Sequence, residues 1–149
     1  MKTSSIVKRS EKEPRFCMNS FAAQEWLEIA WHDLKAAQIL YEAGHFTDSI
    51  GIDIQQGIEK SLKAILANKN AKIPKSHDLL LLWELTAPFE LSDEEIQLLI
   101  RATEYYKEDR YPNPNYSLPS REEIYTVMGF AIDLYERIRS FLGISVQKP

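Results

Sequence analysis

At 149 residues, with 44% apolar and 27% charged side chains, the chain has the length and composition of one globular domain built around a single core. Its net charge of −4 argues against broad, sequence-independent binding to nucleic acid, which works by neutralising phosphates. A lone cysteine, Cys17, cannot close an internal disulfide, and no signal-peptide pattern or membrane-spanning apolar stretch occurs, so a cytoplasmic, non-membrane protein is expected.

Residues 1–19 carry Lys2, Lys8, Arg9, Lys12 and Arg15 against Glu11 and Glu13, with few apolar residues and no periodicity, and are read as a flexible basic tail. From Ser20 the apolar period becomes helical. Trp26, Ile29/Ala30, Leu34, Ala37 and Leu40/Tyr41 form one stripe, and Gly44 marks its stop. After a short Gly-His-Phe linker, a second stripe of Ile50, Ile54, Ile58, Leu62 and Ile65 runs to about Asn68, so the two helices are expected to pair as an antiparallel hairpin. Gly51 and Gly57 inside the second helix cost stability there and predict close approach by a neighbour.

The stretch NKNAKIPKS is a loop, after which Ser76 is expected to cap a short helix over Leu79–Leu85, apolar on nearly every side and therefore enclosed. Ser92 and Glu95 form a capping box for a fourth helix, expected to end near Arg110 because Pro112 disfavours helical backbone at Tyr111. Ser120 and Glu123 form a second box. The stripe that follows, Ile124, Val127/Met128, Ala131, Leu134/Tyr135, Ile138 and Leu142, is the most regular in the chain and closes at Gly143. No convincing strand period occurs. The expectation is an all-α, antiparallel up-and-down bundle of about five helices in one domain over residues 20–143, with 144–149 as a C-terminal tail.

Most familiar chemistries lack a pattern here. His32, His45 and His77 are widely separated and no cysteine pair exists, so neither a metal nor another cofactor is expected. Glycine-rich phosphate loops and a nucleophile elbow are missing.

Three polar groupings remain. Gln56, Lys60 and Lys63 line the face of the second helix opposite its isoleucine stripe, as either a cationic row or an ordinary solvated face. Lys75 and His77 flank the start of the third helix, where free N–H groups would suit an anion; alternatively His77 bonds Asp78 or a backbone group and only fixes the loop. Finally Tyr105, Tyr106, Arg110, Tyr111, Asn113, Asn115 and Tyr116 combine rings that can stack on a base with a guanidinium that can fork onto phosphate; the same residues would also serve as a dimer-facing or core-facing aromatic patch. The candidates for nucleotide or phosphate binding are Lys60, Lys63, His77, Tyr106, Arg110 and Tyr111, with no catalytic residue assigned.

The pieces WLEIAWHDLKAAQILYEAGHFTDSI, QQGIEKSLKAIL, IPKSHDLLLL and YYKEDRYPN, in that order between Trp26 and Asn113, resemble the HEPN domains. The resemblance implies a bundle of four to five helices, commonly a homodimer, and often a partner encoded beside a minimal nucleotidyltransferase in a toxin–antitoxin pair. Many other members are metal-independent ribonucleases that place a histidine four to six residues after an arginine. Arg110 stands where that arginine is expected, but positions 115, 116 and 117 are Asn, Tyr and Ser, and no other arginine has a histidine at that spacing. Metal-free cleavage through a 2′-hydroxyl needs a group that exchanges protons near neutrality; Asn115 cannot, and Tyr116 would need a strongly depressed pKa. The resemblance therefore implies a binding protein rather than an enzyme, with a divergent ribonuclease using Arg110 with His77 or Tyr116 as the alternative, and a dimeric interaction module built on the bundle surface as another. Trp31, beside the first stripe, is a candidate for facing a second subunit.

Overall fold

The structure, a computed structural model, describes the backbone of residues 13–106 and 118–145 and the side chains of residues 20–106 and 118–145. Among the described residues there are five α-helices and no strand: α1 (Glu13–Glu42), α2 (Thr47–Asn68), α3 (Leu79–Glu84), α4 (Asp93–Thr103) and α5 (Arg121–Leu142). Helical backbone begins at Glu13, ahead of the Ser20 start read from the apolar period.

α1 and α2 form the expected hairpin. Gly44 adopts the left-handed conformation, φ 73°, and the amides of Gly44 and His45 return to the carbonyls of Tyr41 and Leu40, which closes α1 and turns the chain. Ala23, Leu27, Ala30, Leu34 and Ala37 of α1 meet the Ile50, Ile54, Ile58, Leu62 and Ile65 stripe of α2, and all are fully buried. Gly57 is the point of closest approach: a Cβ there would lie 2.5 Å from Leu34 Cδ2 and 3.5 Å from the Ala30 carbonyl oxygen. Gly51 has another reason, since a Cβ there would lie 2.9 Å from Tyr105 Cγ.

α5 packs on both members of the hairpin, running antiparallel to α1. Near one end Tyr41 meets Tyr125 with ring centroids 5.6 Å apart, and near the other Trp31 stacks on Tyr135 at 5.4 Å. Trp31 is only 8% exposed, so the expectation that it faces a second subunit is corrected: it belongs to this chain's own core. α5 ends as its sequence indicates, with Gly143 left-handed and the amides of Gly143 and Ile144 bonded to the carbonyls of Ser140 and Arg139.

The short helices depart from expectation in instructive ways. The N-cap of α3 is Asp78 and not Ser76; its carboxylate accepts from the amides of Leu80 and Leu81, while Ser76 Oγ accepts from the Asp78 amide. α3 is not enclosed on every side either. Leu79 and Leu82 are fully buried, whereas Leu81 and Leu85 are 41% and 45% exposed.

The Ser92–Glu95 box at α4 is complete in both directions. At α5 only half the expected box forms: Ser120 Oγ accepts from the Glu123 amide, but the Glu123 carboxylate accepts instead from Tyr105 Oη and meets Arg101 Nε at 3.6 Å. α4 stops at Thr103, earlier than the expected end near Arg110. Thr103 Oγ1 is shared between the Leu99 carbonyl and the Leu79 amide, and the amides of Glu104, Tyr105 and Tyr106 each return three residues in tight turns. These turns drive Tyr105 into the interior and bring Tyr106 alongside residue 77.

Candidate functional site

α2 is flanked by α1, α3, α4 and α5, so the face opposite its isoleucine stripe is only partly solvated: Gln55, Glu59 and Lys63 are buried, and Gln56 and Lys60 are half-buried. Polar groups there are buried and need partners. Gln55, Glu59 and Lys63, each one turn after the last, supply them to one another. Lys63 Nζ lies 2.8 Å from Glu59 Oε2, and Gln55 Nε2 reaches Glu59 Oε1 at 3.1 Å. Gln56 Nε2 adds bonds to Gln55 Oε1 at 2.7 Å and, at 3.5 Å, to Glu59 Oε1. The ammonium of Lys63 also sits over the Trp26 ring, 5.8 Å from its centroid.

His77 enters this network from the loop before α3. Its Nδ1 lies 2.9 Å from Glu59 Oε1, and its carbonyl accepts from Gln55 Nε2 at 3.1 Å, so α2 holds both ring and backbone. Burial pushes the Glu59 carboxyl up, but hydrogen bonds from Lys63, His77 and Gln55 together outweigh it and hold the group below its ordinary value. An ionised Glu59 has no proton to give. The network therefore assigns the proton of the shared bond to His77 Nδ1 and leaves Nε2 on the far edge of the ring, with no hydrogen-bond partner among the described residues.

One face of the imidazole is covered by Tyr106, with centroids 4.1 Å apart and a tilt of 27°. The His77 side chain remains 37% exposed. With Lys75, Ser76, Asp78, Thr103 and Tyr106 it lines an open depression of about 430 Å³.

The candidates thus divide. Lys63 and His77 meet at Glu59, and Tyr106 joins them by stacking on His77. Lys60 does not join them: its ammonium pairs with Asp33 of α1 at 2.7 Å, beside Asp53, whose carboxyl is pushed up by burial and by Asp33 against the opposing effect of Lys60. Arg110 and Tyr111 lie outside the described residues. The start of α3 is not an anion site either. The Leu79 amide goes to Thr103 Oγ1, those of Leu80 and Leu81 go to the Asp78 carboxylate, and that of Leu82 goes to the Asp78 carbonyl. His77 bonds Glu59 and not its neighbour Asp78. Among the described residues no group of three or more His, Cys, Asp or Glu is placed to hold a metal ion.

The HEPN domain matches residues 23–141, most of the chain and every helix of the bundle. The chain belongs to the HEPN domain family. Two solved structures share its fold. The archaeal HEPN homologue ST0689 is 18% identical with a TM-score of 0.63, over 80% of this chain and 97% of its own. TT1696 from Thermus thermophilus is 22% identical with a TM-score of 0.68, over 79% of this chain and 96% of its own. Among curated proteins no match is found.

Within this HEPN bundle the buried carboxylate at the centre of the network, Glu59, is the residue that sequence reasoning missed, together with Gln55. The signal was present in the spacing of four that joins Gln55, Glu59 and Lys63, a line adjacent to the one drawn through Gln56, Lys60 and Lys63. None of the helices among the described residues is long and apolar enough to cross a membrane.

Proposed function

We propose that this HEPN domain protein binds a nucleotide or an RNA segment at the His77 network, as the helical partner of a nucleotidyltransferase in a toxin–antitoxin-like two-component system, without the arginine–histidine ribonuclease motif. One observation carries the binding reading: an ionised carboxylate, only 5% exposed, is committed to orienting a half-exposed imidazole at the edge of an open depression. Folding alone does not call for this arrangement, because well-packed apolar residues in place of a buried ion pair are commonly as stable or more so. We assign Arg110, four residues beyond Tyr106 in the sequence, to the ligand phosphate, with Tyr111 beside it. The partner and two-component role rest on the family, in which such pairs are common, and the protein is taken to act as a cytoplasmic homodimer.

Titration of the purified protein with ATP, GTP and short RNA tests the reading. Saturable binding at sub-millimolar ligand, weakened at least tenfold by His77→Ala and by Arg110→Ala, is expected; no binding by any of the three at millimolar concentration would sink it. Sedimentation at micromolar concentration should give a dimer, and a monomer there would remove the homodimer.

The Glu59–His77 pair also favours a second reading, a divergent metal-independent ribonuclease. A histidine whose Nδ1–H is held by a carboxylate presents Nε2 for proton transfer, the role a 2′-hydroxyl needs. RNA incubated with chelator separates the two: cleavage abolished by both His77→Ala and Arg110→Ala supports the enzyme, and intact RNA leaves the binding protein.

A further inference from the structure

The two lysines of α2 are already committed. Lys63 neutralises Glu59 at 2.8 Å and Lys60 neutralises Asp33 at 2.7 Å. The amides at the start of α3 are used by Asp78 and Thr103. On the described rim of the depression, Lys75 is matched by the Asp78 carboxylate fixed at the helix cap, so cation and anion balance. A phosphate leaving water for a rim of no net charge loses hydration and gains little in return.

What the depression does offer is flat aromatic surface and hydrogen-bonding edges. The imidazole of His77 is held rigid from two directions, by Glu59 along its edge and by the Tyr106 ring 4.1 Å from one face. A planar heterocycle laid on this stack finds hydrogen-bonding groups around it: His77, Ser76 and Asp78 all line the same space.

We infer that the His77–Tyr106 stack is a nucleobase platform, so that this part of the site recognises the base of its ligand and not the phosphate. The inference rests on the nucleotide-binding reading above and makes it specific. Aromatic stacking accepts any base through its π-face, and the edges of Ser76, His77 and Asp78 then discriminate among bases. Glu59 acts as a positioning residue, touching the imidazole and not the ligand. The ring is oriented before the ligand arrives, which lowers the ordering cost of binding.

Calorimetric titration of the full chain with adenosine, guanosine, their 5′-monophosphates and inorganic pyrophosphate tests the platform. At least one nucleoside should bind within about tenfold of its monophosphate, and an equal concentration of pyrophosphate should not displace it. His77→Ala and Tyr106→Leu should each weaken nucleoside binding on the order of tenfold or more. His77→Phe, which keeps a stacking ring but gives up the bond to Glu59, should lose clearly less than His77→Ala. Binding of nucleotides but of neither nucleoside, or displacement by pyrophosphate, overturns the platform and leaves the broader binding reading standing. Loss of nucleoside binding in His77→Phe equal to that in His77→Ala also overturns it, because stacking would then not be the source of affinity. Silence from every nucleoside, nucleotide and RNA sinks both.

Discussion

Glu59 is an ionised carboxylate enclosed by protein, and its surroundings set what its removal does. In Glu59→Gln the Lys63 ammonium, 9% exposed, keeps its burial and loses its counter-charge. A buried ion left without its partner costs about 3 kcal/mol or more, which urea denaturation at pH 7 would read directly. The pH dependence has a definite sign. Because the folded protein holds the Glu59 carboxyl below its ordinary value of 4.5, its contribution is complete above that pH and fades as pH falls through the folded-state value. Stability of the parent protein should therefore fall more steeply than that of Glu59→Gln as pH drops below about 4.5, and the gap between the two should narrow with further acid. Parallel acid limbs would show that folding does not lower the Glu59 pKa.

Between helices, two glycines make opposite predictions from the same chemistry. At Gly57 a methyl would overlap Leu34 at 2.5 Å inside a fully buried seam, so Gly57→Ala should destabilise by about 1–3 kcal/mol through overpacking. At Gly129, on the exposed side of α5, a methyl would meet nothing within 4 Å, and Gly129→Ala should stabilise by up to about 1 kcal/mol through helix propensity. Thermal melts of both variants check the pair. Gly57 was legible from sequence because a glycine weakens a helix interior, and inside a strong apolar stripe only a tightly packed neighbour offsets that loss; the α2 and α5 stripes named their buried residues through the same periodicity. The cap of α3 was misread because Ser76 and Asp78 are both good cap residues two positions apart, and only the Thr103 hydroxyl docking on the Leu79 amide fixes where the helix starts. Glu59 stayed hidden because its partner lies eighteen residues along the chain and its neighbour Lys60 looked equally available. Sequence spacing can put two lysines on one side of a helix; it does not say which acid each will find.

Across the bundle, burial is uneven. α2 has fifteen buried residues out of 22, whereas α3 has two out of six and α4 two out of 11. Local opening free energy follows such differences, so amide hydrogen exchange should be slowest in the middle of α2, between Ile54 and Ile65, and faster by orders of magnitude in α3. Uniform protection across all five helices would contradict this picture. Nucleotide added at saturating concentration should slow exchange chiefly around residues 75–82 and 103–106, which border the depression.

The enclosure of α2 has one more consequence. A rod gripped on all sides can neither roll about its axis nor slip by a turn without tearing the Leu34 side chain from Gly57 and the imidazole from its carboxylate in the same movement. If the proposed ligand docks, the parts free to adjust are the lightly anchored pieces that lean on this rod, which serves as their anvil.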